Sequence, residues 1–169
     1  MNKVYLLLGS NRGDRERNLL MACAGIERSV GKIVKSSSVY ETSPWGFEDP
    51  VAFYNQALEI ETELAPDALL DMIHLVESGL GRMREIEAAG CSCSAVGYSP
   101  RTIDIDILFY ASRIIFTDQL MIPHPRLHER LFTLCPMAEL AGDFVHPAFK
   151  KTIKTLLDEC TDRGEVRAL

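Results

Sequence analysis

No stretch of this sequence approaches the roughly 20 consecutive apolar residues that a membrane-crossing helix needs. The apolar run near the start, within Met1-Asn2-Lys3-Val4-Tyr5-Leu6-Leu7-Leu8-Gly9-Ser10, is too short for a signal core and is followed at once by acids and arginines. It reads as a buried first strand. The five cysteines, Cys23, Cys91, Cys93, Cys135 and Cys160, show no even, regular spacing. Cys91 and Cys93 also stand too close for a C-x2-C zinc half-site, so reduced thiols in a cytoplasmic protein are expected. Positive charge is in deficit, 18 Lys and Arg against 24 Asp and Glu, for a net charge of −6. That excludes a broad footprint on nucleic acid or an anionic membrane and requires any phosphate ligand to be met by a local basic cluster. Internal repeats and low-complexity linkers are absent. Gly9-Ser10-Asn11 is not followed by G-K-[ST], which excludes a P-loop and leaves a strand-to-helix turn as its expected role.

What is present suits one domain, residues 1–169, with a sizeable core: 47% of the residues are apolar and 25% charged. Residues 4–8 read as a central strand. A helix follows, with Leu19, Cys23, Ile26 and Val30 on one face, and Gly31 ends it. Residues 33–42 read as a strand and 43–51, with Pro44, Gly46 and Pro50, as a loop. Residues 53–63 form the next strand, and Pro66 opens a helix with the stripe Leu69, Ile73, Val76 and Leu80. After a long loop, 101–109 is a further strand and 114–115 a short one. Helix is expected at 127–134, a helical turn at 137–141 and a last helix at 153–160. The opening order strand, helix, strand, strand, helix, strand is that of an α+β, ferredoxin-like split βαβ core. Its helices lie on one sheet face and leave the other for a ligand.

The most informative segment is Arg101-Thr102-Ile103-Asp104-Ile105-Asp106-Ile107-Leu108-Phe109. Strict alternation turns the isoleucines to one face and Asp104 and Asp106 to the other, with their Cα atoms roughly 6–7 Å apart. Two carboxylates beside an arginine suit magnesium bound to a phosphate chain; the same pattern also fits a solvated strand face. By parity Phe53 and Asn55 share the open face with the two aspartates. His124 and His128 have i, i+4 spacing, but Pro125 marks an element start between them, so a shared zinc site is not expected.

Six blocks occur in order along most of residues 4–145: Leu8-Gly9-Ser10-Asn11, Tyr40-Glu41-Thr42-Ser43-Pro44-Trp45-Gly46, Phe53-Tyr54-Asn55, Gly81-Arg82-Met83-Arg84, Arg101-Thr102-Ile103-Asp104-Ile105-Asp106 and Pro123-His124-Pro125-Arg126-Leu127-His128-Glu129-Arg130. Together they make the chain resemble the 6-hydroxymethyl-7,8-dihydropterin pyrophosphokinases of folate biosynthesis. The resemblance implies transfer of pyrophosphate from ATP to the pterin hydroxymethyl group with release of AMP, by a cytoplasmic monomer using two Mg2+ ions. It assigns Asp104 and Asp106 to the metals, with Arg82 and Arg101 as further catalytic residues. It surrounds ATP with Glu77, Arg84, Arg101, Ile107, His124 and Arg130, and the pterin with Thr42, Ser43, Trp45, Phe53, Asn55 and Phe132. The chain departs from the family pattern at Glu85, Gly97, Tyr98 and Ser99, and residues 85–99 are expected to be a lid over ATP. Two competing readings are an RNA-binding sheet face, which the acidic surface opposes, and another magnesium-dependent nucleotidyl or phosphoryl transferase.

Overall fold

The computed structural model describes residues 1–81 and 102–169. Its centre is β1 (Asn2–Ser10), a run of apolar residues buried on both faces from Val4 onward. β1 pairs antiparallel with β4 (Phe53–Thr62) on one side and β5 (Asp104–Tyr110) on the other. β2 (Lys32–Ser36) and β3 (Tyr40–Thr42) pair with successive halves of β4, and β8 (Val166–Ala168) extends the sheet beyond β3. A separate hairpin joins β6 (Ile115–Phe116) to β7 (Met121–Ile122). The sheet order β5-β1-β4 with β2 and β3 next is the order expected of a ferredoxin-like core.

Helices α1 (Arg15–Ser29) and α2 (Pro66–Gly79) cover one face. Asp14 caps α1 by accepting the Arg17 N–H, and Pro66 opens α2, where its missing N–H costs nothing. The two helices cross closely because Gly25 has no side chain: a β-carbon there would sit 2.8 Å from Val76 Cγ1. Between them and the sheet lies a core of Leu6, Leu8, Ile26, Leu58, Ile60, Leu69, Ile73, Ile105 and Ile107. Each such burial contributes about 1.5–3 kcal/mol.

The opposite face is only partly open. α3 (Leu131–Ala141) and α4 (Ile153–Glu159) lie against it and form a second core with Tyr5, Leu7, Leu108 and Phe109. A bulge in β5 makes this possible. Leu6 faces Ile107 and Tyr5 faces Phe109, so Leu108 is an extra residue and both Leu108 and Phe109 join the second core. Beyond α3 and α4, the sheet end that carries Asp104, Asp106, Phe53 and Asn55 remains uncovered.

Three sequence expectations differ in detail. The strand expected over 33–42 breaks at Ser37, whose N–H donates to Ala57 O (2.9 Å) and whose hydroxyl accepts the Ala57 N–H (3.0 Å). The helix expected at 127–134 and the turn at 137–141 are a 3-10 turn (Leu127–Glu129) followed by α3, which contains Pro136. Gly9 belongs to β1 itself, and the turn beyond it is made by Gly13, with φ 63°.

Candidate functional site

The uncovered end of the second face is a cleft of about 150 Å³. Strand register sets its floor. Asn55, Gly9 and Asp104 lie side by side across β4, β1 and β5, and Ala57, Leu7 and Asp106 form the next row. Gly9 therefore stands between the amide and the first carboxylate, and its missing side chain leaves the floor open. A β-carbon there would be 3.0 Å from Asn55 Oδ1.

Asn55 is buried, which requires a partner for its amide. Its Nδ2 donates to Thr42 Oγ1 at 2.7 Å, from the neighbouring strand. That bond orients the amide oxygen and links two residues of the expected pterin pocket. The β5 end is anchored just upstream of the aspartates: Ser10 Oγ donates to Thr102 O (2.6 Å) and Asn18 Nδ2 to Thr102 O (3.0 Å) and Ser10 Oγ (3.1 Å). Asp104 and Asp106 are half-buried beside this anchor.

One wall comes from the loop after β3. Arg12 pairs with Asp49 (2.9 Å), and Arg15 donates to Ala52 O (2.7 Å) while its guanidinium lies 3.8 Å above the Tyr54 ring. These ties hold the loop against the sheet so that Trp45 and Phe47 face the cleft, Phe47 edge-on to Phe53 at 6.1 Å. The other wall comes from the start of α3. The Arg130 guanidinium lies 4.5 Å from the Trp45 ring centroid and 5.5 Å from that of Phe132. Arg130 is buried, so this cation–π stack forms in a low-dielectric site where it is strongest.

His124 completes the lining. Its N–H donates to Leu108 O (3.0 Å), tying it to β5, and its Nδ1 accepts the Arg126 N–H (3.3 Å). Burial, and then the charge of Arg130, push its pKa down to about 4 against the pull of Asp104. At neutral pH the ring is uncharged, and with Nδ1 accepting, its proton sits on Nε2 as a donor. His128 is apart from it, packed edge-on to Phe149 at 4.7 Å.

The cleft thus gathers Thr42, Ser43, Trp45, Phe53, Asn55, Phe132, Asp104, Asp106, His124 and Arg130. Glu77 and Ile107 do not line it. Glu77 is buried on α2, where its Oε1 accepts the Ile105 N–H (2.8 Å), and Ile107 faces the helical core. Arg82, Arg84, Arg101 and residues 85–99 lie outside the described residues. Sequence reasoning missed Phe47 and Leu7 as lining residues, and Gly9 as floor. Phe47 was discoverable as an aromatic in the same Pro- and Gly-rich loop as Trp45; Gly9 needed the strand register.

A two-carboxylate, aromatic-walled cleft on an antiparallel α+β sheet has the lining for a flat ring beside hard-oxygen chemistry. The 7,8-dihydro-6-hydroxymethylpterin-pyrophosphokinase (HPPK) family model matches residues 5–142, and the chain belongs to that family. It is 44% identical over 140 residues to the 2-amino-4-hydroxy-6-hydroxymethyldihydropteridine pyrophosphokinase of Bacillus subtilis, covering 82% of this chain and 78% of that one. It is 39% identical to the enzyme of the same name from Aquifex aeolicus, covering 95% and 94%. Among solved structures, Plasmodium falciparum HPPK-DHPS superposes with a TM-score of 0.73 at 18% identity, over 94% of this chain and 43% of that longer chain. That likeness establishes the shared ferredoxin-like fold. The chain is an ATP-dependent diphosphotransferase of folate biosynthesis. Among the described residues, no helix is long and apolar enough to cross a membrane.

Proposed function

We propose that residues 1–169 act as one pyrophosphokinase domain whose cleft binds both substrates and transfers the β,γ-pyrophosphoryl unit of ATP to 6-hydroxymethyl-7,8-dihydropterin. The hydroxymethyl oxygen loses its proton and bonds to the β-phosphorus, the bond from that phosphorus to the α–β bridging oxygen breaks, and AMP leaves. The observation that carries this reading is the juxtaposition, in one cleft, of the Asp104–Asp106 pair with the aromatic slot of Trp45, Phe53 and Phe132.

The slot takes the pterin. Phe53 and the Trp45–Phe132 wall offer faces for a flat ring, and the Asn55 amide, oriented by Thr42, presents donor and acceptor atoms to the ring edge. Ser43, beside Thr42, lines the same wall. Arg130 and the neutral His124 supply donors toward the phosphates, with Arg82, Arg84 and Arg101 as further cations from the family resemblance. Glu77 and Ile107 support the nucleotide side indirectly, through the backbone and packing of β5.

Asp104 and Asp106 fit magnesium. They present hard oxygen donors side by side, and magnesium takes one or two carboxylates with phosphate oxygens and water completing its shell. Among the described residues no group of three potential metal ligands occurs. Two such ions would neutralise charge on the phosphates when bound. The protein's own part is positioning: it fixes the carboxylates on a strand anchored through Thr102 and holds the ring in a slot. A monomer in the cytoplasm completes the reading.

Product analysis tests it. With ATP and 6-hydroxymethyl-7,8-dihydropterin, AMP should appear in one-to-one ratio with pyrophosphorylated pterin. ADP would instead make the protein an ordinary kinase, and free pyrophosphate a nucleotidyltransferase.

A further inference from the structure

Residues 161–168 follow α4 and lie outside the stretch that the family model matches. Their contacts converge on the aromatic wall of the cleft. Asp162 accepts two backbone N–H groups with its two oxygens, Leu131 N at Oδ2 (2.9 Å) and Gly164 N at Oδ1 (3.0 Å). Leu131 opens α3 between Arg130 and Phe132. Three residues beyond Asp162, the chain reaches Ser43: the Ser43 N–H donates to Glu165 O (3.0 Å) and Ser43 Oγ accepts the Glu165 N–H (3.1 Å). β8 then pairs Val166 with Thr42 and Ala168 with Tyr40, and Arg167 Nη2 donates to Glu41 (2.9 Å). One short stretch thus joins the two segments that build the wall, Thr42 to Trp45 on one side and Arg130 to Phe132 on the other.

The wall needs such a tie, because little stands behind it. A second cavity of about 220 Å³ lies on its far side, lined by Pro44, Gly46, Phe132, Asp162, Gly164 and Val166 among others. A side chain backed by close-packed core is held by its neighbours, whereas one backed by a void loses those contacts. The floor of the cleft belongs to the first kind and the Trp45–Phe132 wall to the second.

We propose that Asp162 is a positioning residue for the ring-binding wall, setting the distance between the Trp45 loop and the start of α3 and so the grip on the flat substrate. This rests on the reading of the cleft as the pterin site. Asp162 touches no substrate and acts through Leu131 and Ser43.

The chain has one tryptophan, so its fluorescence reports Trp45 directly. Three variants test the tie: Asp162→Ala, which removes both acceptors, Asp162→Asn, which keeps one, and Gly164→Ala, whose β-carbon would come 3.2 Å from Ser43 Oγ. For Asp162→Ala, the Trp45 emission of the ligand-free protein should shift to the red. Its KM and Kd for the pterin should rise roughly tenfold. The Kd for ATP and the kcat at saturating pterin should stay within about twofold of the wild type. Asp162→Asn and Gly164→Ala should fall between, and they decide the matter if Asp162→Ala fails to fold. Unchanged emission and unchanged pterin Kd in folded variants would overturn the proposal. So would equal losses of ATP and pterin affinity, which mark a merely structural role. If wild-type protein binds no pterin, the reading of the cleft fails instead, and the emission shift alone still decides whether Asp162 holds the wall.

Discussion

Gly9 stands directly opposite Asn55 in the β1–β4 pairing, so near that any side chain on Gly9 would press on the Asn55 amide oxygen. The prediction is an uncoupling of stability from binding. Gly9→Ala should leave thermal stability within about 1 kcal/mol of wild type, since alanine suits a strand no worse than glycine. Pterin affinity measured by calorimetry should fall at least about tenfold as the floor fills and the amide is displaced.

Asp104 and Asp106 present their carboxylates to the cleft from the strand that Ser10 and Asn18 anchor. Asp106→Ala should abolish AMP formation, by roughly 10³-fold or more, with the far-UV circular dichroism unchanged. Near-normal turnover would remove the metal role. Asn18→Ala should have a milder effect of the same kind, lowering kcat several-fold while the pterin Kd holds, because it loosens the anchor and not the slot.

Arg130 and Trp45 should prove energetically coupled. In a double-mutant cycle with Arg130→Lys and Trp45→Leu, read by pterin binding, the coupling should be about 1–2 kcal/mol, the range for a desolvated cation–π pair. Lysine keeps the charge but lacks the planar face that stacks on the indole. Strict additivity would show that the stack contributes nothing to the grip.

Acid should destabilise the fold through buried histidine. His146 is 3% exposed, its Nδ1 accepts the Ala148 and Phe149 N–H groups at 3.2 Å, and its ring stacks on Phe149 at 4.3 Å. Burial, then the proximity of His128, lowers its pKa to about 4. Between pH 6.5 and about 4 the unfolded chain carries a proton here that the native state does not, so stability is full above 6.5 and is lost as pH falls through that window. His124 acts in the same direction. Denaturant titrations of wild type and His146→Gln at pH 7 and pH 4.5 should show a pH-dependent loss smaller in the variant, by on the order of 2 kcal/mol. Parallel losses would contradict it.

The floor of the cleft was legible in the sequence because the two-residue period of a strand is a steric property of the backbone. Asp104, Asp106, Phe53 and Asn55 share a face in the structure as their parity requires. What escaped depended on non-local events. The bulge at Leu108 is invisible in an apolar run, yet it lets β5 serve both cores. The separate helix at 127–134 and turn at 137–141 expected from the sequence are joined in α3 across Pro136, which lies buried there, so tertiary packing outweighs its lost hydrogen bond. β8 carries no alternating pattern, since its place in the sheet comes from pairing with the β3 edge and from Asp162. Glu77 had the right element but a different environment, buried against the Ile105 amide.

The second core stops short of the sheet's end, and the cleft occupies the space where its next layer would go. A flat ring seated between Phe53 and the Trp45–Phe132 wall would supply that layer. The ligand is then a removable piece of the hydrophobic interior, and its concentration becomes a determinant of how well the protein stays folded. In a melting experiment, saturation at 100 times Kd corresponds to about 2.7 kcal/mol of added stability. A cell short of the pterin would hold this enzyme closer to unfolding than a cell well supplied.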